Sequence, residues 1–285
     1  MKILRTVQEI QDYTKAVKAE GKAIGLVPTM GALHEGHVTL MRAAKAACDN
    51  VIASVFVNPV QFGPHEDYEA YPRQFEADCE KLEAVGVDAV FHPTPEEMYP
   101  AGYTTYVTVD GELTSKLCGA QRPGHFRGVA TVVTKLINLA KADEAFFGQK
   151  DAQQVVVIRR LVRDLNLNVH INMVPIVREE SGLARSSRNA YLSAEEKTAA
   201  LVLSRSLKSA KEAFKNGETD EKKLMEIARG VLQTEPMAKI DYVECYSFPD
   251  LQPEQTICTA ALLAIAVKIG KTRLIDNVIL GEVED

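Results

Sequence analysis

The 285-residue sequence contains no tryptophan, and its aromatic content is only 6%. Its five cysteines, Cys48, Cys79, Cys118, Cys245 and Cys258, are odd in number and form no Cys-x-x-Cys pair. That excludes a disulfide framework and a zinc site of that spacing, and it fits free thiols in a reducing, cytoplasmic compartment. No stretch approaches the roughly 18–20 apolar residues of a membrane span, so no membrane partner is expected. The start, Met1-Lys2-Ile3-Leu4-Arg5, lacks an apolar core with a cleavage site, so no secretory signal is expected. Positive charge is not in excess. The 33 Lys and Arg face 39 Asp and Glu, a net charge of −6, which argues against a general nucleic-acid partner. The Gly-x-Ser-x-Gly elbow, the P-loop and the Gly-x-Gly-x-x-Gly fingerprint are all missing. No cysteine has a His-rich neighbourhood that would mark it as a nucleophile. Phosphate handling without a covalent intermediate is what remains.

What is present is a globular composition, 46% hydrophobic and 25% charged. Thr6-Val7-Gln8-Glu9 reads as a capping box that opens a helix ending at Gly21. An apolar strand, 23–27, precedes Pro28-Thr29-Met30-Gly31-Ala32-Leu33-His34-Glu35-Gly36-His37 and a helix to Cys48. Residues 51–57 form a β-branched run of the kind found in strands covered on both faces. A helix over 72–85, a short strand over 87–91 and an alternating, strand-like stretch from Tyr103 to Val109 follow. Cys118 to Gly128 reads as a basic, glycine-rich loop, with a helix from Val129 to Ala140. A strand to Phe147, a helix over 152–165 and a strand over 169–174 complete a β–α alternation. The expectation is a Rossmann-like α/β domain over 1–177 with a parallel sheet, whose ligands sit at the carboxyl ends of the strands. A capping box, Ser193-Ala194-Glu195-Glu196, opens a helix to Lys215. A second helix and strands over 240–246, 260–267 and 272–279 imply a smaller α+β domain over 178–285.

The histidine pair marks the first candidate site. A helix N-terminus offers unpaired N–H groups and partial positive charge, and His34 and His37 at i, i+3 share one face, so both suit a phosphate. The same spacing also suits two surface rings bonded locally. A metal is the weaker reading, because no third ligand of suitable spacing is near. Lys150, in Gly148-Gln149-Lys150-Asp151 beyond a strand end, can act as a point charge on phosphate oxygens or simply be solvated. Ser186, Ser187 and Arg188 offer two hydroxyls and a guanidinium fork in a polar segment, and alternatively form a helix approach. Gln61 and Gln154 can bond hydroxyls or a carboxylate, with an exposed helix face as the plain alternative for Gln154.

Six ordered motifs give the chain a resemblance to a known family. They are the 28–37 stretch, Phe56-Val57-Asn58-Pro59-Val60-Gln61-Phe62, Tyr71-Pro72-Arg73, Arg122 to Val129, Phe147 to Asp151, and Ser186-Ser187-Arg188-Asn189. Over essentially its whole length the chain resembles the pantoate–β-alanine ligases (pantothenate synthetases) of the HxGH nucleotidyltransferase group. The resemblance implies attack of pantoate on the α-phosphorus of ATP, then of β-alanine on the pantoyl-adenylate, releasing AMP and pyrophosphate. It assigns ATP to Met30, Gly31, Ala32, Leu33, His34, Glu35, Gly36, His37, Gly148, Gln149, Lys150, Asp151, Val177, Arg185, Ser186, Ser187 and Arg188. Among these, His34, His37, Lys150, Ser186, Ser187 and Arg188 are implied to be catalytic, with His37 as proton donor. Gln61 and Gln154 would hold pantoate, and Gln61 also β-alanine. Mg²⁺ would accompany ATP with no assignable protein ligand, Asp78 being a weak candidate. A homodimer through the N-terminal domain and a C-terminal lid are likewise implied. Arg185 and Gln149 depart from the family pattern, which usually has an apolar and an acidic residue there. An HxGH nucleotidylyltransferase acting on a phosphorylated acceptor is the nearest alternative, and a non-catalytic nucleotide-binding regulator is the other.

Overall fold

The computed structural model describes residues 1–64 and 66–282. The chain divides into two compact units, Met1–Gln149 with Gln153–Pro175, and Lys150–Ala152 with Ile176–Asp285.

The first unit is built on a six-stranded, wholly parallel sheet. Its strands are β1 (Lys2–Leu4), β2 (Ile24–Thr29), β3 (Asn50–Val55), β4 (Ala89–Phe91), β5 (Glu144–Gly148) and β6 (His170–Val174). They lie in the order β1-β4-β3-β2-β5-β6. The helices that cross between them are α1 (Val7–Ala19), α2 (Glu35–Ala47), α3 (Phe75–Val85), α4 (Pro95–Met98), α5 (Leu117–Gln121), α6 (His125–Ala140) and α7 (Ala152–Asp164). All six residues of β3 are buried, as a central parallel strand with helices on both faces requires. The α1 capping box forms: the Glu9 N–H donates to Thr6 Oγ1 at 3.2 Å, and the Thr6 N–H to Glu9 Oε2 at 3.0 Å. From β2 the chain steps through β3 to β4, then returns to place β5 on the other side of β2. This reversal puts the switch point between β2 and β5, and the loops after β2, β3 and β5 leave from the carboxyl edge where such sheets take ligands.

The second unit holds α8 (Ala194–Lys215), α9 (Glu221–Leu232) and an antiparallel sheet of β7 (Ala238–Ser247), β8 (Ala260–Ile269) and β9 (Thr272–Gly281). β8 is central and buried at nine of its ten positions. Its Ala261, Leu263, Ile265 and Val267 share one core with Leu203 and Leu207 of α8 and Leu224 and Ala228 of α9. The Ser193–Glu196 capping box closes in both directions at 3.1 and 2.9 Å.

Two expectations need correcting. Tyr103–Val109 joins no sheet among the described residues. The Val107 N–H donates instead to Thr131 Oγ1 on α6 at 3.0 Å, and Lys135 and Arg127 of α6 lie over the Tyr103 and Tyr106 rings at 4.7 and 3.9 Å. The segment is thus tied to a helix by a side-chain hydroxyl and cation–π contacts, so its alternation never meets a strand. Cys118–Gly128 is also not a continuous loop: it supplies most of α5 and, from His125, the first turn of α6. Gly128 lies inside α6 because of close packing, not flexibility. A Cβ there would stand 2.5 Å from Gln61 Cα and from the Val60 carbonyl oxygen.

Candidate active site

The turn after β2 is built from residues that leave little freedom. Thr29 Oγ1 donates to the Ser54 carbonyl at 2.6 Å and accepts from the Gly31 N–H at 3.2 Å. Gly31 has φ +82, and a Cβ would meet Asp78 Oδ2 and Val55 Cγ1 at 3.0 Å, so glycine is required. Ala32 also lies in the left-handed region at φ +50. The chain then enters α2 with His34 as N-cap.

The two histidines cap their own helix. His34 Nδ1 accepts from the Gly36 N–H at 3.1 Å, and His37 Nδ1 accepts from the His34 N–H at 3.2 Å. This is the geometry of a capping box with imidazoles in place of Ser and Glu. A ring nitrogen that accepts carries no proton, so in the neutral ring Nε2 holds the N–H on both histidines. The ring centroids are 4.1 Å apart at an interplanar angle of 33°, so the pair shares a face, as its spacing predicts. Five backbone amides of this turn already have acceptors within the protein. The N–H groups of Ala32 and Leu33 donate to the Asp78 carboxylate, and those of His34, Gly36 and His37 donate within the turn.

The remaining expected residues of this stretch divide by side chain. Leu33 is 2% exposed and packs in the core with Val27, Met41 and Val55, so only its backbone faces the turn. Glu35 pairs with Arg42. Met30 joins the turn to Gln61, whose Nε2 donates to Met30 Sδ at 3.1 Å.

Gln61 ends a short 3₁₀ turn after β3 and is 9% exposed. Its amide orientation is fixed by Asn58, whose Nδ2 donates to Gln61 Oε1 at 3.1 Å and to the Gly128 carbonyl at 3.2 Å. Tyr99 donates its hydroxyl to Asn58 Oδ1 at 2.8 Å, and burial raises the Tyr99 pKa, keeping it a donor. The Gln61 carbonyl lies 2.9 Å from His125 Nδ1, and Arg122 lies 3.0 Å from His125 Nε2 while pairing with Glu66. Burial pushes the Glu66 carboxyl up, but the Arg122 hydrogen bond and charge outweigh it, leaving its pKa lowered. Asn58, Asp78, His125 and Gly128 were not singled out as site residues by sequence reasoning, Asp78 entering only as a weak metal candidate. For Asn58, His125 and Gly128 the signal that could have found them is their place inside the shared motifs; Asp78 lies outside all six. Gln154 is half-buried on the first turn of α7, whereas its neighbour Gln153 is buried and bonds Cys118 N, Leu113 O and Lys116 O.

In the second unit, Lys150 Nζ lies 3.6 Å from Asp151 Oδ2, and the Lys150 carbonyl accepts from Asn277 Nδ2 at 3.0 Å. A separate hairpin carries Val177 and Arg185 to Arg188. The Arg185 N–H donates to the Val177 carbonyl at 2.9 Å, and Ser186 Oγ caps the following 3₁₀ turn by accepting from the Arg188 N–H at 3.3 Å. Its base is held by Arg178, which forms a two-armed pair with buried Asp276 and donates to the Gly182 carbonyl. Gly148 ends β5 opposite Val174, and Gln149 follows it.

No group of three or more His, Cys, Asp or Glu side chains that could hold a metal ion exists among the described residues. Both Asp78 oxygens accept backbone N–H groups and the residue is 1% exposed, so it does not fit a metal ligand. All five cysteines are free thiols. No helix among the described residues is long and apolar enough to cross a membrane.

A sequence model of the pantoate-beta-alanine ligase family matches residues 2–279. The pantothenate synthetase of Pelotomaculum thermopropionicum is 58% identical over 99% of this chain and 100% of its own. That of Carboxydothermus hydrogenoformans is 54% identical over 98% of this chain and 99% of its own. The crystal structure of pantothenate synthetase from Thermus thermophilus superposes with a TM-score of 0.93 at 43% identity, covering 98% of this chain and 99% of that one. A pantoate-beta-alanine ligase from Francisella tularensis, complexed with beta-gamma ATP and beta-alanine, superposes with a TM-score of 0.80 at 34% identity, covering 98% of this chain and 97% of that one.

Proposed function

The chain belongs to the pantoate–β-alanine ligase family and joins pantoate to β-alanine, and we propose that it does so through a pantoyl-adenylate at the carboxyl edge of its parallel sheet. Pantoate attacks the α-phosphorus of ATP, whose Mg²⁺ arrives with the nucleotide as part of the substrate. Pyrophosphate leaves, and the β-alanine amine then displaces AMP from the acyl carbon. In-line placement and neutralisation of developing charge carry such a phosphoryl step, so no protein nucleophile is needed. The observation that supports this reading is the histidine pair, whose Nδ1 atoms both accept backbone N–H groups of the helix cap, which puts each ring's proton on Nε2.

His34 and His37 donate hydrogen bonds to the nucleotide phosphates, with the His37 Nε2–H directed to the departing oxygen to spread its developing charge. The Met30–Gly36 backbone and Gly148, Gln149 and Asp151 border the nucleotide, and Val177 and Arg185 contribute backbone or charge from the second unit. Lys150, Ser186, Ser187 and Arg188 stabilise the charge that builds on the α-phosphate and leaving group. Gln61 and Gln154 hold pantoate, and Gln61 also meets β-alanine, a substrate that the Francisella relative carries together with beta-gamma ATP. A homodimer and a cytoplasmic location complete the proposal; the free thiols support the latter. Sedimentation at micromolar concentration tests the dimer.

The decisive assay supplies ATP, pantoate and β-alanine and measures AMP and pantothenate. Stoichiometric formation of both, dependent on pantoate and β-alanine together, is expected, and AMP production without that dependence would sink the mechanism. In single turnover, His37→Ala is expected to slow adenylate formation by about 10²-fold, the cost of one lost transition-state donor.

A further inference from the structure

We infer that Asp78 and Lys81, both on α3, form a clamp that fixes the turn before the two histidines, making Asp78 a positioning residue for adenylate formation. The inference rests on the reading that His34 and His37 hold the nucleotide phosphates.

The Asp78 carboxylate divides its oxygens between consecutive amides. Oδ2 accepts from the Ala32 N–H at 2.8 Å, and Oδ1 from the Leu33 N–H at 2.7 Å. One turn along α3, Lys81 Nζ donates to the Leu33 carbonyl at 2.7 Å. An i, i+3 pair thus grips the amides of two residues and the carbonyl of one. The grip falls where the backbone is least able to hold itself. Ala32 has φ +50, a left-handed conformation that is strained for an alanine and persists only where surroundings over-determine it. Here the carboxylate does so, and buried Leu33 anchors the turn in the core.

His34 is the next residue, and its backbone N–H is the donor that His37 Nδ1 accepts. The path from Asp78 to the catalytic rings is therefore short: carboxylate, Leu33 amide, His34 amide, His37 ring. Were the clamp released, Ala32 would relax toward negative φ, turning the Leu33–His34 peptide. His37 Nδ1 would then lose its donor, and with it the reason for its proton to sit on Nε2. Neither residue needs to touch substrate.

The test is a double-mutant cycle in the full chain, read by single-turnover adenylate formation with ATP and pantoate. His37→Ala alone is expected to slow the step by about 10²-fold and Asp78→Asn alone by about 10-fold or more. Because Asp78 acts through the rings, the double variant is expected to be no more than about threefold slower than His37→Ala. Additive losses would overturn the clamp while leaving the histidine reading intact. A normal rate for His37→Ala would sink both. The Mg²⁺ concentration at half-maximal rate should be the same in Asp78→Asn as in wild type, and a marked rise would make Asp78 a metal ligand and overturn the inference. If Asp78→Asn fails to fold, Lys81→Met gives the cycle instead, with an expected slowing of about threefold or more that disappears in the His37→Ala background. A Lys81→Met enzyme of unchanged rate would overturn the clamp.

Discussion

At the residue scale, the histidine pair was legible as a unit because i, i+3 spacing at a strand–turn–helix junction admits few arrangements. Its tautomer was not, since that depends on which amide each Nδ1 accepts, and a capping box made of two imidazoles has no sequence signature. Gln61 shows the same limit. Its type suggests a ligand for hydroxyl or carboxylate, but its orientation is set by Asn58 of the same turn, itself tied to the α6 backbone at Gly128, and by Met30 from another loop. Gln61→Ala is expected to raise the KM for pantoate by about 10-fold or more while ATP binding by calorimetry stays within about twofold, since an unpaired substrate hydroxyl carries the larger part of the loss. Equal weakening of ATP would contradict the role. Gly128→Ala tests the support beneath it. The added methyl would meet backbone atoms at 2.5 Å, so a loss of about 1–3 kcal/mol is expected together with a raised pantoate KM. Unchanged stability by denaturant titration would mean that the α6 contact yields freely.

At the scale of elements, caps and buried strands were read from sequence because their signals are local. Thr6 with Glu9, Ser193 with Glu196, and the apolar 51–55 run each state their structure within a few residues. The failures were non-local. Gly128 looks like a loop glycine but is the site where two backbones touch, and Tyr103–Val109 has a strand's alternation but docks on a helix. β1, three residues long, exists only because β4 offers it an edge. The start of α9 carries a second consequence of tertiary burial. Glu221 is 4% exposed, and one of its oxygens accepts from the Glu254 N–H at 3.3 Å. Burial, aided by the charge of Glu254, raises its pKa to about 7. A folded-state pKa above the unfolded value means that protonation favours folding, so this contribution is full below about pH 4.5 and is lost as pH rises through about 7. Stability of the wild type is therefore expected to fall by about 1–3 kcal/mol more than that of Glu221→Gln between pH 5 and pH 8, measured by denaturant titration. Parallel pH curves for the two proteins would show that the carboxyl is already solvated.

At the scale of the whole molecule, the placement of the proposed phosphate ligands in the chain turns on a small detail of connectivity. The chain leaves the first unit after Gln149, spends Lys150–Ala152 in the second, and returns for α7 and β6. Lys150, proposed to meet the polyphosphate, therefore belongs to the second unit and is tied to β9 through the Asn277 amide on its carbonyl. The adjacent Asp276 anchors Arg178 at the base of the hairpin that carries Ser186, Ser187 and Arg188. Two neighbouring β9 residues thus hold both groups of proposed phosphate ligands. If the second unit protects the acyl-adenylate from water, loosening this anchor should let hydrolysis compete with β-alanine. Asn277→Ala is expected to raise the ratio of AMP to pantothenate above one at subsaturating β-alanine, with the excess disappearing as β-alanine saturates. A ratio that stays at one across the titration, with Lys150→Ala nevertheless slowing adenylate formation, would leave Lys150 a phosphate ligand and remove shielding from the second unit's role.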